Sequence, residues 1–148
     1  MFQIPRAPLA LGLAGLLPFL VGAFFSTLPD SGGDSPLVTA GDGIKMLVLY
    51  GTVILSFMSG VLWGFATKAN GAKATTGYVL SVLPALWAFL ARGTTDSGTL
   101  LFLAIGFAGL LMLDYFFHRE ALTPSWWMRL RILLTTIVVA CLAVGALA

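Results

Sequence analysis

The chain has 148 residues, of which 59% are hydrophobic and 9% are charged, and its mean hydropathy is +0.99. Its eight Lys and Arg and six Asp and Glu residues are too few to cover the surface of a water-soluble domain of this length. The composition therefore excludes a soluble globular domain and predicts a surface that mostly faces lipid.

A membrane-spanning helix needs about 20 predominantly apolar residues. Five windows of the chain meet this need: residues 8–26, 44–66, 75–91, 98–117 and 131–148. Pro84 lies inside the third window and is predicted to kink that helix. The longest connection, residues 27–43, is rich in Gly, Ser, Asp and Pro, which predicts an exposed loop. We therefore expect an all-α polytopic membrane protein, with five transmembrane helices in a compact bundle that forms one domain over residues 1–148.

The first window is predicted to be a retained helix rather than a cleaved signal peptide. Arg6 precedes it, but the apolar stretch is longer than a typical signal core and no small-residue cleavage site follows it. A weaker series of small residues recurs every four positions in this window, which places its members on one helix face: Ala10, Ala14, Pro18 and Gly22.

The second window contains the stretch YGTVILSFMSGVLWGFA, in which Thr52, Ser56, Gly60 and Gly64 also recur every four residues. Such a smooth face allows close approach of helix backbones, which is a main source of helix association in lipid. We expect this face to pack within the bundle, against the first span or a neighbour that both spans share. Two alternatives are that it lines a ligand pocket or that a partner protein docks on it.

The fourth window ends in LLMLDYFFHRE, and its Asp114 is an acidic residue in an otherwise apolar helix. A carboxylate at this depth needs a partner. His118 is one turn away on the same face, and Arg129 and Arg131 return to the same membrane level at the start of the last span. The favoured interpretation is a structural ion pair or hydrogen bond between spans four and five. A proton-relay or ion-coupling role for Asp114 and His118, and a side chain that reaches water, are the alternatives.

Aromatic residues concentrate near the same end of the predicted bundle, as in an interfacial belt. They are Trp63, Tyr78, Tyr115, Trp126 and Trp127. Several of them fall together with the charged residues of that end, which makes this group a candidate docking surface or anionic-lipid site. Its members are Trp63, Asp114, His118, Trp126, Trp127, Arg129 and Arg131.

The distribution of basic residues predicts the orientation. With five spans, one side holds Arg6, Lys68, Lys73, Arg119, Arg129 and Arg131, whereas the other side holds only Lys45 and Arg92. The acidic residues Asp30, Asp34, Asp42 and Asp96 fall on the side that is poor in basic residues. The positive-inside rule then places the N-terminus in the cytoplasm and the C-terminus outside.

No catalytic or metal-binding motif is present, so an enzyme is not expected. With a single His and a single Cys, Cys141 inside the last span, the chain can hardly form a transition-metal site or a disulfide framework. A haem with His118 as its one axial ligand has no further support, and we expect no cofactor. The basic residues are too few for nucleic acid binding.

The stretch YGTVILSFMSGVLWGFA resembles the signature of an uncharacterised membrane family that includes mitochondrial transmembrane protein 69 and short proteobacterial proteins. The segments PLALGLAGLLPF, SVLPALWAF and PSWWMRLRILLT fit the same resemblance, which runs over most of the chain. The resemblance points to the following residues as the positions that match the family pattern: Tyr50, Gly51, Ser56, Phe57, Gly60, Trp63, Gly64, Pro84, Trp127, Arg129 and Arg131. Leu62 departs from the family pattern, which has a more polar or basic residue there. The family has no assigned activity.

Two functions from different classes are compatible with these features. The favoured hypothesis is an accessory or assembly component of a larger inner-membrane complex, for example a respiratory one, with the lipid bilayer and other subunits or a second copy as partners. The alternative is a protein that binds or transports a lipid or another apolar small molecule between its helices. Ion translocation through Asp114 is a third and weaker hypothesis. We expect a multi-pass protein of the bacterial cytoplasmic membrane, or of the mitochondrial inner membrane in a eukaryote.

Overall fold

The structure is a computed structural model that describes residues 3–29, 37–92 and 95–148. These residues form six helices and no strand: α1 (Arg6–Gly15), α2 (Leu17–Ser26), α3 (Ala40–Ala66), α4 (Gly71–Leu90), α5 (Asp96–Arg119) and α6 (Trp127–Leu147). The predicted all-α class is therefore confirmed for the described part of the chain. Residues 30–36 of the predicted loop 27–43, with Asp30 and Asp34, lie outside the described residues, and residues 40–43 belong to α3.

Four segments of the described chain are long and apolar enough to cross a membrane. They are α1 with α2 (Arg6–Ser26), α3, α5 and α6. The third predicted span corresponds to α4, a helix of 20 residues that does not belong to this set. The protein is thus an integral membrane protein of apolar helices.

The first span is interrupted at Leu16, where α1 ends and α2 begins. Pro18 has no N–H group and cannot donate to the carbonyl of Ala14, four residues earlier. The neighbouring carbonyl of Gly15 accepts a hydrogen bond of 2.9 Å from the hydroxyl group of Tyr50 on α3. This cross-helix bond satisfies a backbone group at the interruption, as the apolar environment requires.

The helices pack as an antiparallel bundle around α3 and α5. The end of α2 contacts the start of α3 through Gly22 and Gly43, where an added Cβ on Gly43 would lie 2.5 Å from the backbone nitrogen of Ser26. At the same end of the bundle, Ser97 Oγ donates to the carbonyl of Ala146, which joins the start of α5 to the end of α6. Three phenylalanine rings are fully buried in the core: Phe19, Phe107 and Phe117.

A polar contact joins α3 to α4 beside Pro84. The backbone N–H of Ala85 donates to Ser59 Oγ at 2.7 Å, and the Ser59 side chain is buried. Pro84 does not interrupt α4, which runs as one helix from Gly71 to Leu90. The serine hydroxyl therefore supplies an acceptor at the position where the helix contains a proline.

Replacing Ser59 with Ala is expected to lower the free energy of unfolding by about 1 kcal/mol, because the Ala85 N–H loses its acceptor. Thermal unfolding of the detergent-solubilised protein would measure this loss. The matched control is Ser56→Ala on the same helix, since Ser56 is exposed and its hydroxyl bonds only the carbonyl of Thr52. Equal effects of the two substitutions would show that the Ser59 contact contributes nothing.

Candidate functional site

Asp114 lies in a buried polar cluster between α5 and α6. It is 0% exposed, and its Oδ2 accepts a hydrogen bond of 2.8 Å from Arg131 Nε in an ion pair. Its Oδ1 accepts a second bond of 3.0 Å from Trp127 Nε1. The carboxylate thus has two donors from α6, and the pair is electrically neutral as a whole.

The start of α6 explains why these residues meet. Trp127 and Arg131 are four residues apart, so they share one face of the helix. The ring of Phe65 on α3 contacts Trp127 edge to face, with centroids 5.0 Å apart. Arg129 is two residues from Arg131 and therefore points away from it, and it is exposed. Of the two arginines predicted from the sequence as partners of Asp114, Arg131 is the one that forms the ion pair with it.

Two buried polar atoms in the described part of the chain have no hydrogen-bond partner: Arg131 Nη2 and Thr135 Oγ1. Arg131 is 5% exposed and Thr135 is 4% exposed. The next residue, Thr136, behaves as helical threonines usually do, since its hydroxyl donates to the carbonyl of Ile132 at 2.7 Å. A buried polar group without a partner costs about 1–3 kcal/mol, so both atoms require an explanation.

Both side chains line the same pocket, which has a volume of about 350 Å³ and lies among α1, α2, α3, α5 and α6. The rest of its wall is almost wholly apolar. Representative residues of that wall are Leu11, Gly15, Phe19, Phe57, Phe107 and Val138. The pocket is at the lower end of the range of about 300–1,000 Å³ that small-molecule sites occupy, and apolar walls with a few placed donors are typical of such sites.

The pocket opens toward the surface that faces lipid. Leu11 and Phe57 line it and are also 74% and 64% exposed. Arg131, Thr135 and Val138 follow one another along its α6 wall, so the polar groups lie toward the Trp127 end of the helix and the opposite end is apolar. The arrangement can hold an elongated apolar molecule whose polar end meets Arg131 and Thr135.

The expectation that the smooth face of α3 packs within the bundle is wrong. An added Cβ on Gly60 or Gly64 would have no described atom within 4 Å, and Ser56, Gly60 and Gly64 are exposed. The hydroxyl groups of Thr52 and Ser56 donate to carbonyls of their own helix, so this face satisfies its polar groups without a neighbour. Close packing of the first two spans uses Gly22 and Gly43 instead. The face does not line the pocket described above either.

The predicted seven-residue docking surface is also divided. Asp114 and Arg131 are buried, so neither is available to a partner on the surface. His118 Nδ1 lies 2.8 Å from Thr123 Oγ1 and is not the partner of Asp114. Trp63 is 49% exposed and packs against Tyr78, with ring centroids 4.6 Å apart.

The three remaining members of the predicted surface lie near the start of α6: Trp126, Trp127 and Arg129. The ring of Trp126 contacts that of Trp127, with centroids 6.2 Å apart. Arg129 borders a shallow depression with Gln3, Ile4 and Leu9 of the N-terminal segment. The group is therefore a buried cluster with several separate contacts around one end of the bundle rather than one surface.

Sequence reasoning missed Thr135, Gly15 and Phe19 as residues of the pocket. Thr135 carried a signal that could have been used, because it is the polar residue one turn after Arg131 on the same face of an apolar helix. Gly15 had no such signal in the sequence. Its place in the pocket depends on the interruption at Leu16 and on the side chains that the tertiary fold brings opposite it.

Comparisons with known proteins identify related sequences. A family model described as "Protein of unknown function (DUF3429)" matches residues 4–147. Transmembrane protein 69 of Xenopus tropicalis is 36% identical to the chain over 149 residues, which cover 97% of this chain and 54% of that protein. The chain therefore spans about half the length of this curated relative. No solved structure matches the chain.

Proposed function

The chain belongs to the family of membrane proteins described as "Protein of unknown function (DUF3429)", and we propose that it binds an apolar small molecule in the pocket beside Arg131. The bound molecule would lie among α1, α2, α3, α5 and α6, with its polar end toward the start of α6. The proposal includes binding or carriage of the molecule and no chemical change to it.

One observation carries this proposal: the two residues that line one apolar pocket with polar side chains from α6 each have a buried polar atom without a hydrogen-bond partner. Arg131 and Thr135 are one helical turn apart on α6, and the atoms concerned are Arg131 Nη2 and Thr135 Oγ1. Burial without a partner is unfavourable, and a ligand with a hydrogen-bond acceptor would remove that cost. The Asp114 and Trp127 contacts hold the Arg131 side chain in place, so the site is organised before a ligand binds.

We propose five spans with a cytoplasmic N-terminus and an outer C-terminus, in a bacterial cytoplasmic or mitochondrial inner membrane. The 20 residues of α4 give a length of about 30 Å, enough to cross the hydrocarbon core. Its outward residues include Val82, Leu86 and Phe89, which are exposed and apolar. Lys68 and Lys73 contact the segment after α5, which supports a common basic end of the bundle.

A second candidate function is an accessory or assembly role in a larger membrane complex. The observation in its favour is the smooth outer face of α3, where Gly60 and Gly64 leave the backbone accessible to another helix. This candidate is compatible with the first, since the pocket and the α3 face are formed by different residues.

Native mass spectrometry of the protein, extracted gently from its own membrane, tests both functions with two glycine variants. In Gly15→Leu the new side chain starts 3.7 Å from the Tyr50 hydroxyl and enters the pocket. In Gly60→Leu the same side chain is added on the outer face of α3, away from the pocket. We expect one tightly bound small molecule per chain in the wild type and in Gly60→Leu, and at least tenfold lower occupancy in Gly15→Leu.

The same spectra separate the alternatives. Equal occupancy in the wild type and Gly15→Leu would mean that the molecule is a surface lipid, and a wild-type chain without any bound molecule would also contradict ligand binding in the pocket. A larger assembly that dissociates in Gly60→Leu and persists in Gly15→Leu would support the accessory role through α3.

A further inference from the structure

We infer that the shallow depression beside Arg129 binds the headgroup of an anionic phospholipid, whose acyl chains lie along the outer face of α1 and α6. This site is separate from the pocket beside Arg131, so the inference goes beyond the proposed function and does not depend on it. It rests on the residues that line the depression, the apolar surface that continues from it, and the charge of this end of the bundle.

The lining of the depression is half polar and half apolar. Arg129 and Gln3 supply polar groups, and Ile4 and Leu9 supply apolar side chains. A guanidinium carries five N–H donors in a planar fork, so Arg129 can bind two phosphate oxygens and keep further donors for protein groups. A free phosphate ion would use only the polar half. The headgroup of a lipid also brings its glycerol and the start of its chains to the apolar half.

The apolar surface continues from the depression along both helices. Leu13 follows Leu9 by one turn of α1, and Leu133 follows Arg129 by one turn of α6, so each pair shares one helix face. The two leucines are 43% and 41% exposed. Because α1 and α6 both begin at this end and belong to apolar spans, the residues that follow lie deeper in the bilayer. Acyl chains that leave the depression therefore meet apolar side chains.

Among the described residues, the depression and the pocket share no lining residue. Gly12 of α1 packs against Leu130 and Leu134 of α6, since a Cβ added to Gly12 would lie 3.1 Å from Leu134 Cδ1. Arg129 and Arg131 flank Leu130 in the sequence and therefore lie about 200° apart around the helix. A molecule in the depression thus occupies a different surface from a molecule in the pocket.

The charge of this end favours an anionic lipid over a zwitterionic one. Asp114 is buried, and its charge is balanced by Arg131. Glu120 is the remaining described acidic residue of this end, and it pairs with Lys73 at 3.1 Å. The potential here is positive, so it attracts a headgroup with a net negative charge and repels the ammonium group of a zwitterionic lipid. The exposed basic residues that produce it are Arg6, Lys68, Lys73, Arg119 and Arg129.

The test is a lipid titration of the delipidated full-length protein in detergent micelles, followed by native mass spectrometry. The two lipids are phosphatidylglycerol, which carries a net negative charge, and zwitterionic phosphatidylethanolamine with identical acyl chains. Glycerol 3-phosphate, which has the phosphate group and no chains, is the third probe. The depression is open, so a lipid bound there exchanges with detergent and is measured by titration rather than by co-purification.

Two pairs of variants locate the site. Arg129→Gln removes the charge from the depression, and Arg119→Gln removes an exposed charge elsewhere at the same end. Leu9→Glu places a carboxylate in the depression, and Leu9→Gln is its neutral control. Because the second pair leaves Arg129 unchanged, a folding defect of Arg129→Gln alone cannot account for a loss of binding in both pairs.

We expect the wild type to bind phosphatidylglycerol at least tenfold more tightly than phosphatidylethanolamine and at least a hundredfold more tightly than glycerol 3-phosphate. Arg129→Gln and Leu9→Glu should each lower the affinity for phosphatidylglycerol about tenfold, because the charge-assisted hydrogen bonds to the phosphate are lost or opposed. The controls Arg119→Gln and Leu9→Gln should change this affinity less than about threefold.

Equal affinity of the wild type for the two lipids would overturn the inference. Equal losses in Arg119→Gln and Arg129→Gln would do so too, because they would indicate a general attraction to anions rather than a site. Binding of glycerol 3-phosphate as tight as that of the lipid would assign the depression to a soluble phosphate compound instead.

The variant Gly15→Leu separates this inference from the proposed function. Its new side chain enters the pocket beside Arg131 and not the depression, so phosphatidylglycerol should bind to it as to the wild type. This result would hold whether or not the pocket binds its own ligand. A loss of phosphatidylglycerol binding in Gly15→Leu would overturn the inference and assign the lipid to the pocket.

Discussion

Replacing Asp114 with Asn is expected to lower the free energy of unfolding by about 3–5 kcal/mol. The substitution preserves the shape of the side chain but leaves the buried Arg131 guanidinium without a counter-charge. Breaking one half of a buried ion pair is among the most destabilising single changes, because the remaining charge stays desolvated. Chemical or thermal unfolding in a mild detergent, followed by circular dichroism, would measure the effect.

The matched control is Asp96→Asn on the same helix, because Asp96 is exposed in the first turn of α5. It should change stability little. The double variant Asp114→Leu with Arg131→Met should recover much of the lost stability, since it leaves no buried charge. A stable Asp114→Asn protein that lost only an ion-transport signal would instead support the proton or ion role that Asp114 was also considered for.

Replacing Gly43 with Ala is expected to lower the free energy of unfolding by about 1–3 kcal/mol, through overpacking of α2 against α3. The new methyl group would lie 2.5 Å from the backbone nitrogen of Ser26 and 2.6 Å from the carbonyl oxygen of Gly22. Both are backbone atoms, so the two helices must separate to accept it. Thermal unfolding of the purified variant would measure the loss.

Gly60→Ala is the control for this prediction, because the same methyl group meets nothing within 4 Å at that position of α3. Since Ala favours the helical conformation more than Gly by up to about 1 kcal/mol, Gly60→Ala should be neutral or slightly stabilising. If both variants melt at the wild-type temperature, the α2–α3 contact is looser than described. If Gly60→Ala is the more damaging variant, the smooth face of α3 packs against a neighbour after all.

Composition and apolar windows predicted the all-helical fold and the approximate bounds of the helices. Runs of about 20 apolar residues are a strong signal in a chain with so few charges. The ends of the helices were less well predicted, because capping residues and residues at the membrane interface determine where a helix begins and ends. For example, α3 begins at Ala40 with the capping box of Thr39 and Asp42, four residues before the predicted start.

Pro18 and Pro84 show why the pattern along a single helix does not predict the local structure around a proline. Pro84 lies inside α4, which continues from Gly71 to Leu90, and Ser59 on α3 provides an acceptor beside it. The kink expected at Pro84 stays a prediction. Pro18 lies just after the interruption at Leu16, and the apolar pattern of the first window gives no sign of this interruption. The outcome at each proline depends on a side chain from another helix, which periodicity along one segment cannot reveal.

The candidate site was only partly predictable for the same reason. A carboxylate in an apolar helix requires a partner, so the pairing of Asp114 with the start of α6 followed from elementary electrostatics. The pocket beside it did not, because its wall combines residues from five helices. The smooth face of α3 illustrates the opposite error: spacing showed that small residues share a face, but not whether that face points inward or outward.

The most direct test of ligand binding is an experimental structure of the protein purified with its own membrane lipids, at a resolution that shows side chains. If the pocket binds an apolar molecule, density for one should fill it, with a hydrogen-bond acceptor of the molecule about 2.7–3.2 Å from a donor of Arg131 or of Thr135. A pocket closed by its own side chains, with Arg131 Nη2 and Thr135 Oγ1 bonded to protein groups or to water, would contradict the proposal.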